Sequence, residues 1–177
     1  MPGPGIWYKR WMRILIVRHG EAIDPYGVDT DGHRWLTERG RRTVRKVANF
    51  LDDEGVRFDR VFVSPLVRAV QTAEILTGPV GFEGPLHVWA ALAGGTTAQA
   101  LAALDEVEDP DATVALVGHE PLARSMAAHL TGIANYPGFR TGAVCVATRG
   151  EGAVGSFDWA VDPSIPRRID EVEGIPR

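Results

Sequence analysis

A single cysteine, Cys145, stands in the 177 residues. That scarcity excludes an intramolecular disulfide and any cysteine-built metal cluster. The neighbouring Val144 and Val146 fit a buried strand thiol rather than a reactive one. Apolar runs long enough for a signal peptide or a membrane-spanning helix are also missing. No membrane partner is therefore expected, and a cytoplasmic location is the default. Positive charge is not in excess either: 19 Lys and Arg against 23 Asp and Glu leave a formal net charge of −4. A chain without a dominant basic field is not a general nucleic-acid binder, although a local basic pocket remains compatible with it. No histidines have the i, i+4 spacing of a zinc helix, and no two-metal carboxylate cluster is visible, so neither a metal nor a cofactor is expected. Internal repeats and low-complexity segments are absent.

What is present suits one globular domain with a sizeable core. Hydrophobic residues make up 45% and charged residues 24%, ordinary values for such a chain. Residues 1–11, rich in Pro, Gly and aromatics without periodicity, read as a flexible N-terminal extension, with Met12 a candidate start. The domain is expected over 12–177. Its organising stretch is Arg13-Ile14-Leu15-Ile16-Val17-Arg18-His19-Gly20. Four consecutive aliphatic residues predict a strand buried on both faces, as in a parallel sheet. The run stops at Arg18-His19-Gly20. In an open α/β sheet ligands bind beyond the carboxyl ends of strands, and Gly20 permits a tight turn there.

The same pattern returns twice. Val114-Ala115-Leu116-Val117 runs into Gly118-His119-Glu120-Pro121, and Val61-Phe62-Val63 runs into Ser64-Pro65 ahead of a helix carrying Arg68. Ser64 reads as an N-cap and Pro65 as the first helical residue. Three strand ends thus deliver Arg18, His19, Arg68 and His119 to what can be one rim. No requirement of an apolar core explains that convergence. Guanidinium forks suit phosphoryl oxygens, and a helix N-terminus favours an anion.

Between these blocks, residues 24–35 form a polar loop, with His33 read as a solvated charge and Arg34 as a secondary binding candidate. Thr37 caps a helix whose Val44, Val47, Ala48 and Leu51 share one face; its Arg39, Arg41, Arg42, Arg45 and Lys46 read as a solvated basic face. Leu86–Trp89 reads as a third strand, and a helix capped at Thr96 or Thr97 is expected to run to about Val107. A further strand over Thr113–Val117 and a helix over Pro121–Leu130 follow, with His129 structural. Val144–Thr148 and Ser156–Val161 form a hairpin through Arg149-Gly150-Glu151-Gly152, and residues after Pro163 read as a polar surface tail. The expected fold is a single-domain α/β sandwich with a mostly parallel central sheet flanked by helices and a C-terminal hairpin.

Four blocks, in order, resemble the signature of the histidine phosphatase superfamily (phosphoglycerate mutase-like): Arg18-His19-Gly20-Glu21, Leu36-Thr37-Glu38-Arg39-Gly40, Ser64 through Ala73, and Gly118-His119-Glu120-Pro121. The short length and the ending Gly155-Ser156-Phe157-Asp158-Trp159 are most similar to small bacterial phosphohistidine phosphatases. The resemblance implies a metal-independent phosphatase in which His19 attacks phosphorus and forms a phosphohistidine intermediate. Arg18 and Arg68 would hold the phosphoryl oxygens, with His119 a further donor. Arg34 matches the basic residue that related phosphatases often carry before the Leu-Thr pair.

Many superfamily phosphomonoesterases and mutases place an acidic proton donor just after the third strand. Here Trp89-Ala90-Ala91-Leu92-Ala93-Gly94-Gly95 contains no carboxylate. Glu21 is left as either a substitute donor or a structural hydrogen-bond acceptor, and Glu120 as a weaker candidate. A histidine leaving group, with a reference pKa near about 6.5, tolerates the missing acid better than an alkoxide. Short connections leave little chain for a lid, which suits a phosphorylated side chain on a partner protein. The alternatives are a small-molecule phosphomonoesterase acting on a nucleotide or sugar phosphate, and a non-enzymatic phosphate-binding module. Mutase chemistry, which benefits from a closed site, fits least.

Overall fold

Ile14, Leu15, Ile16 and Val17 are each no more than 1% exposed, because their strand lies inside a sheet covered on both faces. A computed structural model describes residues 11–150 and 155–176. The strands are β1 (Trp11–Arg18), β2 (Arg60–Val63), β3 (Leu86–Val88), β4 (Thr113–Gly118), β5 (Val144–Gly150), β6 (Ser156–Val161) and β7 (Arg168–Ile169), ordered β3-β2-β4-β1-β5-β6-β7. The first four are mutually parallel, and β5, β6 and β7 continue the sheet antiparallel. The sheet is mixed, with its parallel half carrying the site.

Side-chain alternation along β1 divides the core. Ile14 and Ile16 pack with the layer of α3 (Thr97–Leu101) and α4 (Leu122–Thr131), whereas Leu15 and Val17 pack with α1 (Glu38–Asp53) and α2 (Val67–Thr77). Thr37 caps α1 by accepting from the Gly40 N–H at 2.9 Å. The expected apolar face, Val44, Val47, Ala48 and Leu51, is fully buried, and Arg39, Arg42, Arg45 and Lys46 are exposed.

Three elements differ from expectation. The helix expected to reach Val107 ends at Leu101 and tightens into a 3₁₀ segment over Ala102–Glu106. Residues three apart eclipse in that geometry, so Ala100 with Ala103 and Leu101 with Leu104 all reach the core. The helix after β2 starts at Val67 rather than Pro65, although the Ser64 Oγ still accepts from the Leu66 N–H at 3.3 Å. The segment after Pro163, read as a surface tail, contributes β7, whose Ile169 is buried and pairs with Ala160. Trp11 lies within β1, opposite Gly150, while residues 1–10 of the expected extension lie outside the described residues. So do Glu151 and Gly152 of the expected hairpin turn. Among the described residues no helix is long and apolar enough to cross a membrane.

Register is what positions the site. Arg18 lies opposite Gly118, and Val63 opposite Val117. The carboxyl ends of β1, β4 and β2 are therefore level, and His19, His119 and Ser64 leave the sheet side by side.

Candidate active site

The turn after β1 is held from three sides. The His19 N–H donates to the Gly118 carbonyl at 3.0 Å, and the Gly142 N–H reaches the carbonyls of both Arg18 and His19, at 3.1 and 3.0 Å. Gly142 has φ +82°, a conformation that side-chain-bearing residues rarely adopt. The Gly20 N–H donates to Thr72 Oγ1 at 3.0 Å, and the Thr72 hydroxyl donates to the Arg68 carbonyl at 2.6 Å. Buried Thr72 thus ties the histidine turn to the helix that carries Arg68.

Within this frame the rings of His19 and His119 stand 4.9 Å apart. Gly20 O lies 2.6 Å from His19 Nδ1. A carbonyl can only accept, so Nδ1 carries the proton and Nε2 the lone pair. Arg68 Nε–H points at that Nε2 from 3.3 Å. His119 Nε2 is 2.7 Å from Ser64 Oγ. With the Ser64 hydroxyl donating to His119 Nε2, that ring's Nδ1–H is left as its donor. His119 Nδ1 and Arg18 Nε are buried without a hydrogen-bond partner among the described residues. Orphaned buried polar atoms are rare and costly, and both of these belong to residues at the carboxyl end of the parallel strands β1 and β4.

Burial pushes the pKa of His19 down to about 4, with Arg68, Arg18 and Arg34 adding repulsion against the hydrogen bond to Gly20. Burial likewise takes His119 down to about 3, helped by His19 and Arg68 and opposed by Asp31. Both imidazoles are neutral at pH 7. Arg18 donates through Nη1 to the Phe139 carbonyl at 2.5 Å; burial lowers its pKa, with nearby Glu120 acting oppositely.

Arg18, His19, Arg68 and His119 therefore share one end of the sheet. Arg34 sits at the margin, donating to Ile23 O at 2.7 Å and to Asp31 Oδ1 at 3.0 Å. Glu21 binds the start of α1: Oε1 accepts from the Thr37 hydroxyl at 2.8 Å and Oε2 from Arg39. Glu120 accepts from the Phe139 N–H. His33 and His129 are exposed. Ala90–Ala93 form a 3₁₀ turn after β3, and the Leu92 carbonyl would lie 3.2 Å from a Cβ placed on Gly118.

Sequence reasoning missed Asp31. From the 24–35 loop its backbone carbonyl accepts from Arg68 Nη1 at 2.7 Å, and its Oδ2 accepts from Nη2 at 2.8 Å. Hydrogen bonds from Arg34 and Arg68 hold its carboxyl below the usual range. It is ionised at neutral pH, so it enters the site as an anion and not as a proton donor. The one sequence signal was its place three residues before Arg34, within reach for pairing. Ser64 was read as a cap and, with Thr72, as part of the Ser64–Ala73 block, without a role for either side chain, and Gly142 carried no signal of its own. Among the described residues no three His, Cys, Asp or Glu side chains form a metal-holding group.

This geometry can be set beside known proteins. The family model described as histidine phosphatase superfamily (branch 1) matches residues 14–94. The phosphohistidine phosphatase SixA of Escherichia coli is 31% identical over 156 residues, covering 86% of this chain and 94% of that protein. The solved structure of the protein histidine phosphatase SixA complexed with tungstate superposes with a TM-score of 0.79, covering 86% of this chain and 98% of that one at 31% identity. A mycobacterial glucosyl-3-phosphoglycerate phosphatase shares the fold at a TM-score of 0.65 and 18% identity, covering 84% and 98%. With both histidines and both arginines of its motifs gathered at one sheet edge, the chain belongs to the histidine phosphatase superfamily.

Proposed function

We propose that this phosphatase removes the phosphoryl group from phosphohistidine in a partner protein, in two displacements through His19. The observation that carries the proposal is the state of His19: neutral, its Nδ1–H fixed on Gly20 O, and its Nε2 lone pair facing only the Arg68 Nε–H, a donor that a phosphoryl oxygen would draw away. Nε2 bonds to phosphorus as the bond to the leaving nitrogen breaks, and the departing imidazole leaves neutral when its other nitrogen is protonated. Water then attacks the phosphorylated His19; the P–N bond breaks, inorganic phosphate departs, and the imidazole is restored. Phosphoryl transfer depends mainly on positioning and charge stabilisation. Arg18 and Arg68 supply guanidinium donors for the equatorial oxygens, and His119 supplies its Nδ1–H.

The leaving group decides the substrate class. No carboxylate follows β3, Asp31 is held ionised, and Glu21 is engaged with Thr37 and Arg39. A substrate that needs a general acid loses about 10²–10⁴-fold without one. SixA, by its name a phosphohistidine phosphatase, is the similar protein consistent with this selectivity. The test is kcat/KM at fixed pH across phosphohistidine, aryl phosphates and alkyl phosphates graded by leaving-group pKa. A steep decline with rising pKa is expected. A flat profile would favour the second reading, a small-molecule phosphomonoesterase, whose precedent on this fold is the glucosyl-3-phosphoglycerate phosphatase.

A further inference from the structure

The loop over residues 24–35 is tied at its neck. The Ile23 N–H donates to the Trp35 carbonyl at 2.9 Å, Ala22 bridges Leu36, and Arg34 Nε–H crosses back to the Ile23 carbonyl at 2.7 Å. At its far end a 3₁₀ turn over Asp31–His33 meets α2, where the Asp31 carbonyl and Oδ2 accept from Arg68. The same guanidinium points its Nε–H at His19 Nε2. One guanidinium therefore separates the Asp31 carboxylate from the nucleophile.

An ionised carboxylate has about four acceptor positions. Asp31 uses one on Oδ1, for Arg34, and one on Oδ2, for Arg68, and its side chain is 58% exposed. Acceptor positions thus remain open at the mouth of the site. Its charge also reaches inward, favouring a proton on His119. The carboxylates of Glu21 and Glu120 are turned elsewhere, to Thr37 and Arg39 and to the Phe139 N–H. A carboxylate on the arginine that receives a phosphoryl group repels that group. A leaving group with a cationic edge reverses the sign. Phosphohistidine offers one, because its ring nitrogen not bonded to phosphorus can carry a proton. Phosphoryl oxygens on Arg68 take up part of the guanidinium's charge, and the carboxylate is left to pair with a cation of the substrate.

We infer that Asp31 selects the nitrogen leaving group, accepting a hydrogen bond from the protonated second nitrogen of the phosphohistidine ring. The inference rests on the proposed function and assigns its selectivity to one side chain. As His19 Nε2 bonds to phosphorus, the P–N bond breaks and its electron pair goes to the leaving nitrogen. The proton stays on the second nitrogen throughout, so the ring departs as neutral imidazole. Asp31 neither gains nor loses a proton, and it is a specificity-determining group rather than a general acid. An aryl or alkyl phosphate has no N–H to present and meets only the negative charge.

The experiment measures kcat/KM of the full chain and of Asp31→Asn on a phosphohistidine peptide and on phenyl phosphate. It is run at about pH 8, where a ring of reference pKa near about 6.5 is mostly unprotonated in solution. Asn keeps the size of the side chain and a carbonyl oxygen for Arg68, but not the charge. The readout is the ratio of the two kcat/KM values on one preparation, which misfolding or a displaced Arg68 lowers for both substrates and leaves unchanged. The ratio should fall about 5- to 20-fold in the variant, the scale of one partly exposed charge-assisted hydrogen bond. Asp31→Ala should show the same fall. A ratio that is unchanged or raised overturns the inference. Binding without turnover is read by calorimetry with 3-aminopropylphosphonate and butylphosphonate, of equal length with and without a terminal cation. The wild type should bind the amine-bearing member more tightly, and Asp31→Asn should lose that preference; equal affinities in the wild type overturn the inference. A wild type that hydrolyses phenyl phosphate but not the peptide contradicts the proposed function instead, and the two phosphonates still test the role of Asp31.

Discussion

The guanidinium of Arg68 has five N–H donors, and three are engaged within the protein, on His19 Nε2, Asp31 O and Asp31 Oδ2. An incoming phosphoryl group meets the Asp31 carboxylate at the same nitrogen atoms. Removing that charge frees Nη2 and relieves repulsion, so Asp31→Ala should bind inorganic phosphate about 3- to 10-fold more tightly in competitive inhibition, a difference of about 1 kcal/mol. Weaker binding would show that Asp31 instead holds Arg68 in its working position. The two buried histidines make a second prediction at this scale. Their folded pKa values, about 4 for His19 and about 3 for His119, lie below the unfolded value near about 6.5. The unfolded chain therefore binds more protons below that pH, and stability should fall as pH drops from about 6.5 towards 4. Urea midpoints at pH 7 and pH 5 check this, and His119→Gln should reduce the difference between them. A difference unchanged by the variant would mean that other groups carry it.

Gly40 marks a close contact between elements. A Cβ there would stand 2.1 Å from the Glu21 carbonyl, which is backbone and cannot swing aside. Gly40→Ala should push α1 off the loop after His19 and lower both Tm and kcat, with thermal unfolding and turnover as the readouts; an unchanged Tm would refute the contact. Thr72→Val should lower kcat more than it raises KM, because it unties the Gly20 turn from α2 while Arg18, Arg68 and His119 remain. An effect confined to KM would contradict that. Elements with one dominant local signal were legible in the sequence: β1 from its four aliphatics, α1 from Thr37 and its apolar face, and the loop–helix carrying Arg68 from Ser64-Pro65. What could not be read depended on tertiary partners. Two-residue β7 has no periodicity and forms by pairing with β6. The tightening after Leu101 follows core demand, and Asp31 reaches Arg68 across 37 positions of sequence.

At the scale of the whole molecule, the sheet is a device for levelling three strand ends. Parallel pairing of β2, β4 and β1 brings together residues as far apart in sequence as His19 and His119, which is why the four site residues could be named from motifs at strand ends while their hydrogen bonds could not. The mechanism stands or falls on a covalent phosphoryl group at His19. The most direct measurement is rapid quenching during turnover of ³²P-labelled phosphohistidine peptide, followed by peptide mapping. Label should appear on the peptide containing His19, stable to base and released by acid, as a phosphorus–nitrogen bond is, and it should be absent from His19→Ala, which should itself stay folded and keep some phosphate binding through Arg18, Arg68 and His119. Label on another residue, or undiminished turnover by His19→Ala, would contradict it.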